Sequence, residues 1–130
     1  MPYDSPSEYD VQITEVANAL RLPYDHTMQD WGIESADAER LEEFVEFAQR
    51  ELSAAWHPEV VRDVVDLLLE SAGDALSEDP TLELAPLREW LAANVAQLQR
   101  ALAYWIGLGP EEWPIVAKLE AWGLRIVFAQ

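Results

Sequence analysis

The sequence contains no cysteine, which excludes a disulfide framework, a thiolate metal site and a thiol nucleophile. Lysine occurs once, at Lys118, and 25 acidic residues outnumber eight basic ones. Because phosphate binding needs cations, direct binding to nucleic acid is excluded as well. No apolar run approaches the ~20 residues that span a bilayer, and the first residues lack the basic and apolar regions of a signal peptide. We therefore expect a soluble, cytoplasmic protein.

Motifs for catalysis and metal binding are also missing. The two histidines, His26 and His57, are far apart in the sequence and match no spaced ligand motif. His57 is expected at the C-terminal end of a helix, where the helix dipole favours an imidazole. No glycine-rich phosphate loop and no Gly-x-Ser-x-Gly elbow is present. We expect a protein that is not an enzyme and that holds no metal and no cofactor.

Apolar residues, by contrast, are plentiful: they make up 50% of the chain, and six residues are tryptophan. A chain of this length and composition can bury a real core, which argues against intrinsic disorder. We expect one domain over residues 1–130, with residues 1–7 as a flexible N-terminus.

The spacing of the apolar residues predicts an all-α, single-domain bundle of four to five helices. The predicted helices cover residues 8–20, 36–56, 58–76, 85–107 and 111–122. The third has apolar side chains around so much of its circumference that it should be central. It should form an antiparallel hairpin with the second. Residues 22–35 should connect the first two helices, with Trp31 in the core, and residues 124–128 suit a short strand or an extended tail.

The net charge of −17 is distributed unevenly along the chain. Residues 1–83 hold 21 of the acidic side chains and four of the basic ones, whereas residues 84–130 hold four of each and are neutral. The electrostatic field of so uneven a charge distribution affects binding partners and solubility rather than the fold.

Much of that charge falls into two stripes, each opposite the apolar side of a predicted helix. On the second helix the stripe contains Glu39, Glu42, Glu43 and Glu46. On the third helix it contains Glu59, Asp63, Asp66, Glu70 and Asp74. The sequence predicts that these carboxylates are exposed, that they keep ordinary pKa values, and that the outer faces of the paired helices could merge into one negative surface.

Such a surface suits a basic protein, because complementary charge steers the encounter of two proteins. The residues chosen as partner-binding are Glu39, Glu42, Glu43, Glu46, Asp63, Asp66 and Glu70. Two alternatives stay open: a DNA mimic or adaptor that regulates a DNA-binding protein, and a salt-adapted helical domain with no charged partner. The neutral last third weighs against salt adaptation, which should decorate the whole exterior.

The tryptophans are expected mainly in the core, where most fit the apolar stripes. Trp113, at the junction of a loop and a helix, is the most exposed of them in this interpretation. Aromatic residues are favoured anchors at protein interfaces. Trp113 and Tyr104 are therefore a secondary partner-binding candidate.

The run Asp30-Trp31-Gly32-Ile33-Glu34, followed by Ala36-Asp37, Arg40, Glu43-Phe44, Tyr104-Trp105 and Trp113, resembles a group of small acidic bacterial proteins. These are the immunity proteins of polymorphic and contact-dependent toxin systems. The resemblance covers roughly residues 28–115. It implies an all-helical inhibitor that binds its toxin directly, and the toxins best suited to an acidic inhibitor are those that act on nucleic acid.

Overall fold

The structure, a computed structural model, describes residues 7–124, and all regular secondary structure in that range is helical. The helices are α1 (Glu8–Leu20), α2 (Trp31–Glu34), α3 (Leu41–Glu51), α4 (Pro58–Glu78), α5 (Ala85–Ala93), α6 (Val95–Gly107) and α7 (Pro114–Trp122), with a 3-10 turn at Ala38–Arg40 before α3. The prediction of an all-α fold is therefore confirmed. The structure has seven helices in this range, rather than four to five.

Helix α4 is the centre of the molecule. It contacts α1, α2, α3, α6 and α7, so that almost every position between Val60 and Leu69 is buried. The prediction of a central third helix is confirmed, and the helix extends two residues further than predicted, to Glu78. Because α4 is covered from so many directions, its polar side chains are covered too.

The additional helices arise where the predicted helices are interrupted. Asn94 separates α5 from α6: its backbone leaves the helical region, and its side-chain Nδ2 donates to the carbonyl oxygen of Trp90 at 2.8 Å. The predicted second helix is helical only over Leu41–Glu51, and His57 begins α4 rather than ending α3. The Nδ1 atom of His57 accepts from the backbone N–H of Glu59 at 3.0 Å, so the prediction for His57 was wrong.

The predicted connector contains the short helix α2. Trp31 lies in the core with 1% of its surface exposed, as predicted, and its Nε1 donates to the carbonyl oxygen of Pro23 at 2.8 Å. Gly32 lies directly against the backbone of α4: a Cβ atom at this position would be 2.2 Å from the carbonyl oxygen of Asp63. Glycine is therefore what allows α2 to approach α4 this closely.

Both ends of α1 and the C-terminal end of α7 agree with the sequence prediction, whereas α7 begins at Pro114, three residues later than predicted. Ser7 caps α1, because its Oγ accepts from the backbone N–H of Asp10 at 3.0 Å. Gly123 ends α7 in the left-handed conformation, with φ of 65°. The rest of the predicted flexible N-terminus and most of the predicted C-terminal strand or tail lie outside the described residues.

Candidate functional site

The acidic stripe at the start of the second predicted helix is exposed, as the sequence predicts. We call it the acidic face; its members are Glu39, Glu42, Glu43 and Glu46. Glu39 belongs to the 3-10 turn, and the other three lie on α3. This face points away from the core, which α3 contacts through Phe44, Val45, Phe47 and Ala48.

One member of the acidic face is neutralised within the protein. The Nη2 atom of Arg40 lies 2.6 Å from Oε2 of Glu43, and this ion pair lowers the pKa of Glu43. Arg40 also donates to the carbonyl oxygen of Leu20 and covers the ring of Phe44 at 4.9 Å, so its guanidinium is firmly placed. Glu39, Glu42 and Glu46 have no ion-pair partner among residues 7–124, which leaves these three carboxylates available to a cation.

An apolar groove of about 580 Å³ borders the acidic face, between α3 and the beginning of α5. Its apolar residues include Leu41, Val45, Leu82, Leu84 and Leu87. Glu42 and Glu46 on one side and Glu89 on the other also line it. We call this site the acid-rimmed groove. The sequence did not indicate it, because Leu82 and Leu84 lie in the loop after α4 and Leu84 reaches its place through a left-handed backbone, with φ of 57°.

The second acidic stripe is exposed only at its ends, at Glu59 and Asp74, and the prediction of exposure was wrong for Asp63 and Asp66. Asp63 is 1% exposed and Asp66 is 7% exposed. The hydroxyl of Tyr9 on α1 donates to Asp63, and Nε1 of Trp105 on α6 donates to Oδ1 of Asp66 at 2.8 Å. Both carboxylates are thus covered by helices that pack across the polar side of α4. The sequence of α4 alone does not predict this, because the covering helices α1 and α6 lie elsewhere in the sequence.

Burial also shifts the acid–base properties of these groups away from ordinary values. Desolvation raises the pKa of Asp66 to about 6, and the pKa of Asp63 is raised for the same reason. Glu70 is half-buried, with its pKa raised by burial and by nearby Asp74. Of the partner-binding residues predicted on this stripe, Asp63 is too deeply buried to meet a partner. The buried middle of this stripe therefore does not join the acidic face in one exposed negative surface.

The structure gives the two residues of the secondary candidate, Tyr104 and Trp113, different environments. Tyr104 is 60% exposed and lines a second groove, between α4 and α6, with a volume of about 490 Å³. Trp113 is half-buried and does not line that groove; its ring packs edge-on against Trp105 with 5.8 Å between the ring centres. Trp31, Trp90 and Trp105 are buried, and Trp56, Trp113 and Trp122 are half-buried.

Between residues 7 and 124, no group of three or more His, Asp or Glu side chains is placed to hold a metal ion. In the same range, none of the helices combines the length and the apolar content that crossing a bilayer requires. Comparison of the chain with family models, with curated proteins and with solved structures finds no match.

Proposed function

We propose that this protein is a non-enzymatic inhibitor of the immunity type, which binds a basic protein partner and blocks it by occlusion. The partner that suits it best is a cytoplasmic toxin domain acting on bacterial nucleic acid, since such a domain presents cations to bind phosphates. The observation that carries the proposal is the acid-rimmed groove. It places unpaired carboxylates beside an apolar surface on the same side of the molecule.

The two parts of this site would serve different steps of binding. Exposed carboxylates at the rim of an interface increase the rate of encounter with a basic protein, and their effect weakens as salt screens them. Apolar side chains of the partner buried in the groove would then slow dissociation, because well-packed central contacts carry most of the binding energy. Leu82, which is half-buried in the groove, is the natural contact for such a side chain.

The test requires the partner, which affinity capture at low and high salt can isolate. The rate of association would then be measured for the triple variant Glu39→Lys, Glu42→Lys and Glu46→Lys. We expect the rate at low salt to fall roughly tenfold to hundredfold and its dependence on salt to flatten.

The matched control is the variant Glu111→Lys, Glu112→Lys and Glu120→Lys. It makes the same change in net charge at three exposed positions remote in sequence from the acidic face. If both triple variants slow association equally, net charge alone is responsible and the acidic face is not the binding site. Leu82→Ala should raise the rate of dissociation and leave the rate of association nearly unchanged.

A DNA-binding protein is the other basic partner that this surface suits. Duplex DNA would then compete with this protein for the captured partner. Competition together with DNA cleavage by the free partner indicates a toxin. Competition without any catalytic activity of the partner indicates a regulator and would replace the toxin in the proposal.

A further inference from the structure

The groove between α4 and α6, which we call the α4–α6 groove, differs from the acid-rimmed groove in having a buried carboxylate among its lining residues. Asp66 lines the groove, although only 7% of its surface is exposed. Its Oδ1 atom accepts from the indole of Trp105, and its Oδ2 atom accepts no hydrogen bond from the described residues. The Oδ2 atom is not fully buried, so the groove leads to a largely desolvated carboxylate that keeps one oxygen in contact with solvent.

Asp66 has too little positive charge around it. No Arg, Lys or His between residues 7 and 124 forms an ion pair with it. The guanidinium of Arg62 also lines the groove and lowers the pKa of Asp66, but its ion pairs are with Glu59 at 3.1 Å and with Asp63 at 3.7 Å. Burial, with the like charges of Asp63 and Asp30, outweighs Arg62 and raises the pKa of Asp66 to about 6. With four carboxylates and one guanidinium, this end of the groove favours a further cation.

The entrance to the groove is apolar and accessible. Three large apolar or aromatic side chains are exposed within the described range, and two of them, Ile33 and Tyr104, line this groove. Arg100, on the α6 side, is exposed and has no ion-pair partner within the described range. Its charge is not among the main ones that act on Asp66, which are those of Asp63, Arg62 and Asp30.

We propose that the α4–α6 groove is a docking site for one lysine or arginine side chain of a protein partner, with the cationic group paired to Asp66 and the aliphatic part packed against Ile33 and Tyr104. The proposal takes the basic character of the partner from the proposed function. It adds a second point of attachment, lined by residues of α2, α4 and α6 rather than by those of α3 and α5. A long basic side chain fits because it carries an apolar stem and a charged end. The exposed ring of Tyr104 can also attract a cation.

The probe for this site is Nα-acetylarginine methylamide, and its control is the neutral citrulline analogue of nearly the same shape. Trp105 provides the signal, since its indole N–H donates to Asp66 and its NMR cross-peak reports on that carboxylate. We expect the arginine probe to shift this peak saturably with a dissociation constant of about 1–10 mM, in the range for a single small contact. The citrulline analogue should bind at least about tenfold more weakly, because it cannot form the ion pair.

Asp66→Asn should abolish the response. It retains an oxygen that can accept from Trp105, so the fold should be preserved; the dispersion of the backbone spectrum checks this. Tyr104→Ser, at an exposed position, should weaken binding without touching the core and serves if Asp66→Asn fails to fold. Glu42→Gln, in the acid-rimmed groove, should leave probe binding unchanged. The proposal for the α4–α6 groove can therefore be tested separately from the proposal for the acid-rimmed groove.

Equal binding of the two probes, a response that persists in folded Asp66→Asn, or no saturable shift would each overturn the proposal. A shift of the Trp105 peak on simple dilution, without probe, would show that a second copy of the chain occupies the groove. That result would also overturn it.

Discussion

At the scale of single residues, Asp63 and Asp66 are the most informative positions. A carboxylate that loses water must be compensated by hydrogen bonds or by a cation. Here the hydrogen bonds come from Tyr9 and Trp105, which belong to helices far away in the sequence, and Arg62 adds an ion pair to Asp63 at 3.7 Å. The sequence did contain one sign of burial: residues 60–69 are apolar except at Arg62, Asp63 and Asp66. A short carboxylate within so apolar a segment is poorly placed to reach solvent.

The raised pKa of Asp66 predicts how stability depends on pH. The folded protein keeps this proton up to about pH 6, whereas the unfolded chain releases it near pH 3.8, the ordinary pKa of an aspartate. Between about pH 4 and pH 7 the folded state therefore binds more protons, and Asp66 lowers the free energy of unfolding by about 3 kcal/mol as the pH rises.

Asp66→Asn should remove this dependence, because an amide does not titrate. Relative to the parent protein, we expect the variant to gain about 1–3 kcal/mol between pH 4 and pH 7, as measured by urea unfolding at each pH. Asp74→Asn makes the same chemical change at an exposed position of the same helix and should give a much smaller difference. A stability difference between Asp66→Asn and the parent that is constant across this range would contradict the assignment.

At the scale of secondary structure, the sequence predicts most of the helices but not their packing. The apolar periodicity predicts α1 within a residue and the start of α4 at Pro58. It misses the break at Asn94, because the apolar stripe continues across it and only the packing of α5 on α3 and of α6 on α4 makes the chain turn there. It also misses the acid-rimmed groove, since that site forms from a loop meeting a helix.

The contact between α2 and α4 gives a prediction for Gly32. A methyl group at this position would lie 2.2 Å from the carbonyl oxygen of Asp63 and 2.9 Å from the backbone nitrogen of Leu67. Neither backbone atom can move without shifting α4. Gly32→Ala should therefore lower the free energy of unfolding by about 3 kcal/mol, the upper range for overpacking.

Gly107→Ala is the matched control for this change. Gly107 ends α6, and an added Cβ atom there would have no neighbour within 4 Å. We expect this variant to be neutral or slightly stabilising, because alanine is favoured over glycine in a helix. Thermal unfolding of both variants is sufficient, and equal losses of stability would mean that close packing against α4 is not what requires glycine at position 32.

At the scale of the whole molecule, the net charge of −17 acts against the compact state through self-repulsion. Salt shortens the Debye length from about 30 Å at 0.01 M to about 8 Å at 0.15 M. We expect the Tm to rise by about 5 °C over this interval, corresponding to about 1 kcal/mol, and to level off above it. A Tm that continues to climb steeply into molar NaCl would favour the salt-adapted domain over the partner-binding protein.

The central position of α4 has a consequence for how this chain is synthesised. Its apolar surface is complete once residue 78 is made, but α6 and α7, which cover part of it, are made after it. During this interval a growing chain exposes a surface that would otherwise favour aggregation. Residues 1–83 carry the whole net charge, so we expect copies of the growing chain to repel one another until α6 and α7 cover α4. Charge that precedes the covering helices in the sequence would thus limit aggregation during synthesis.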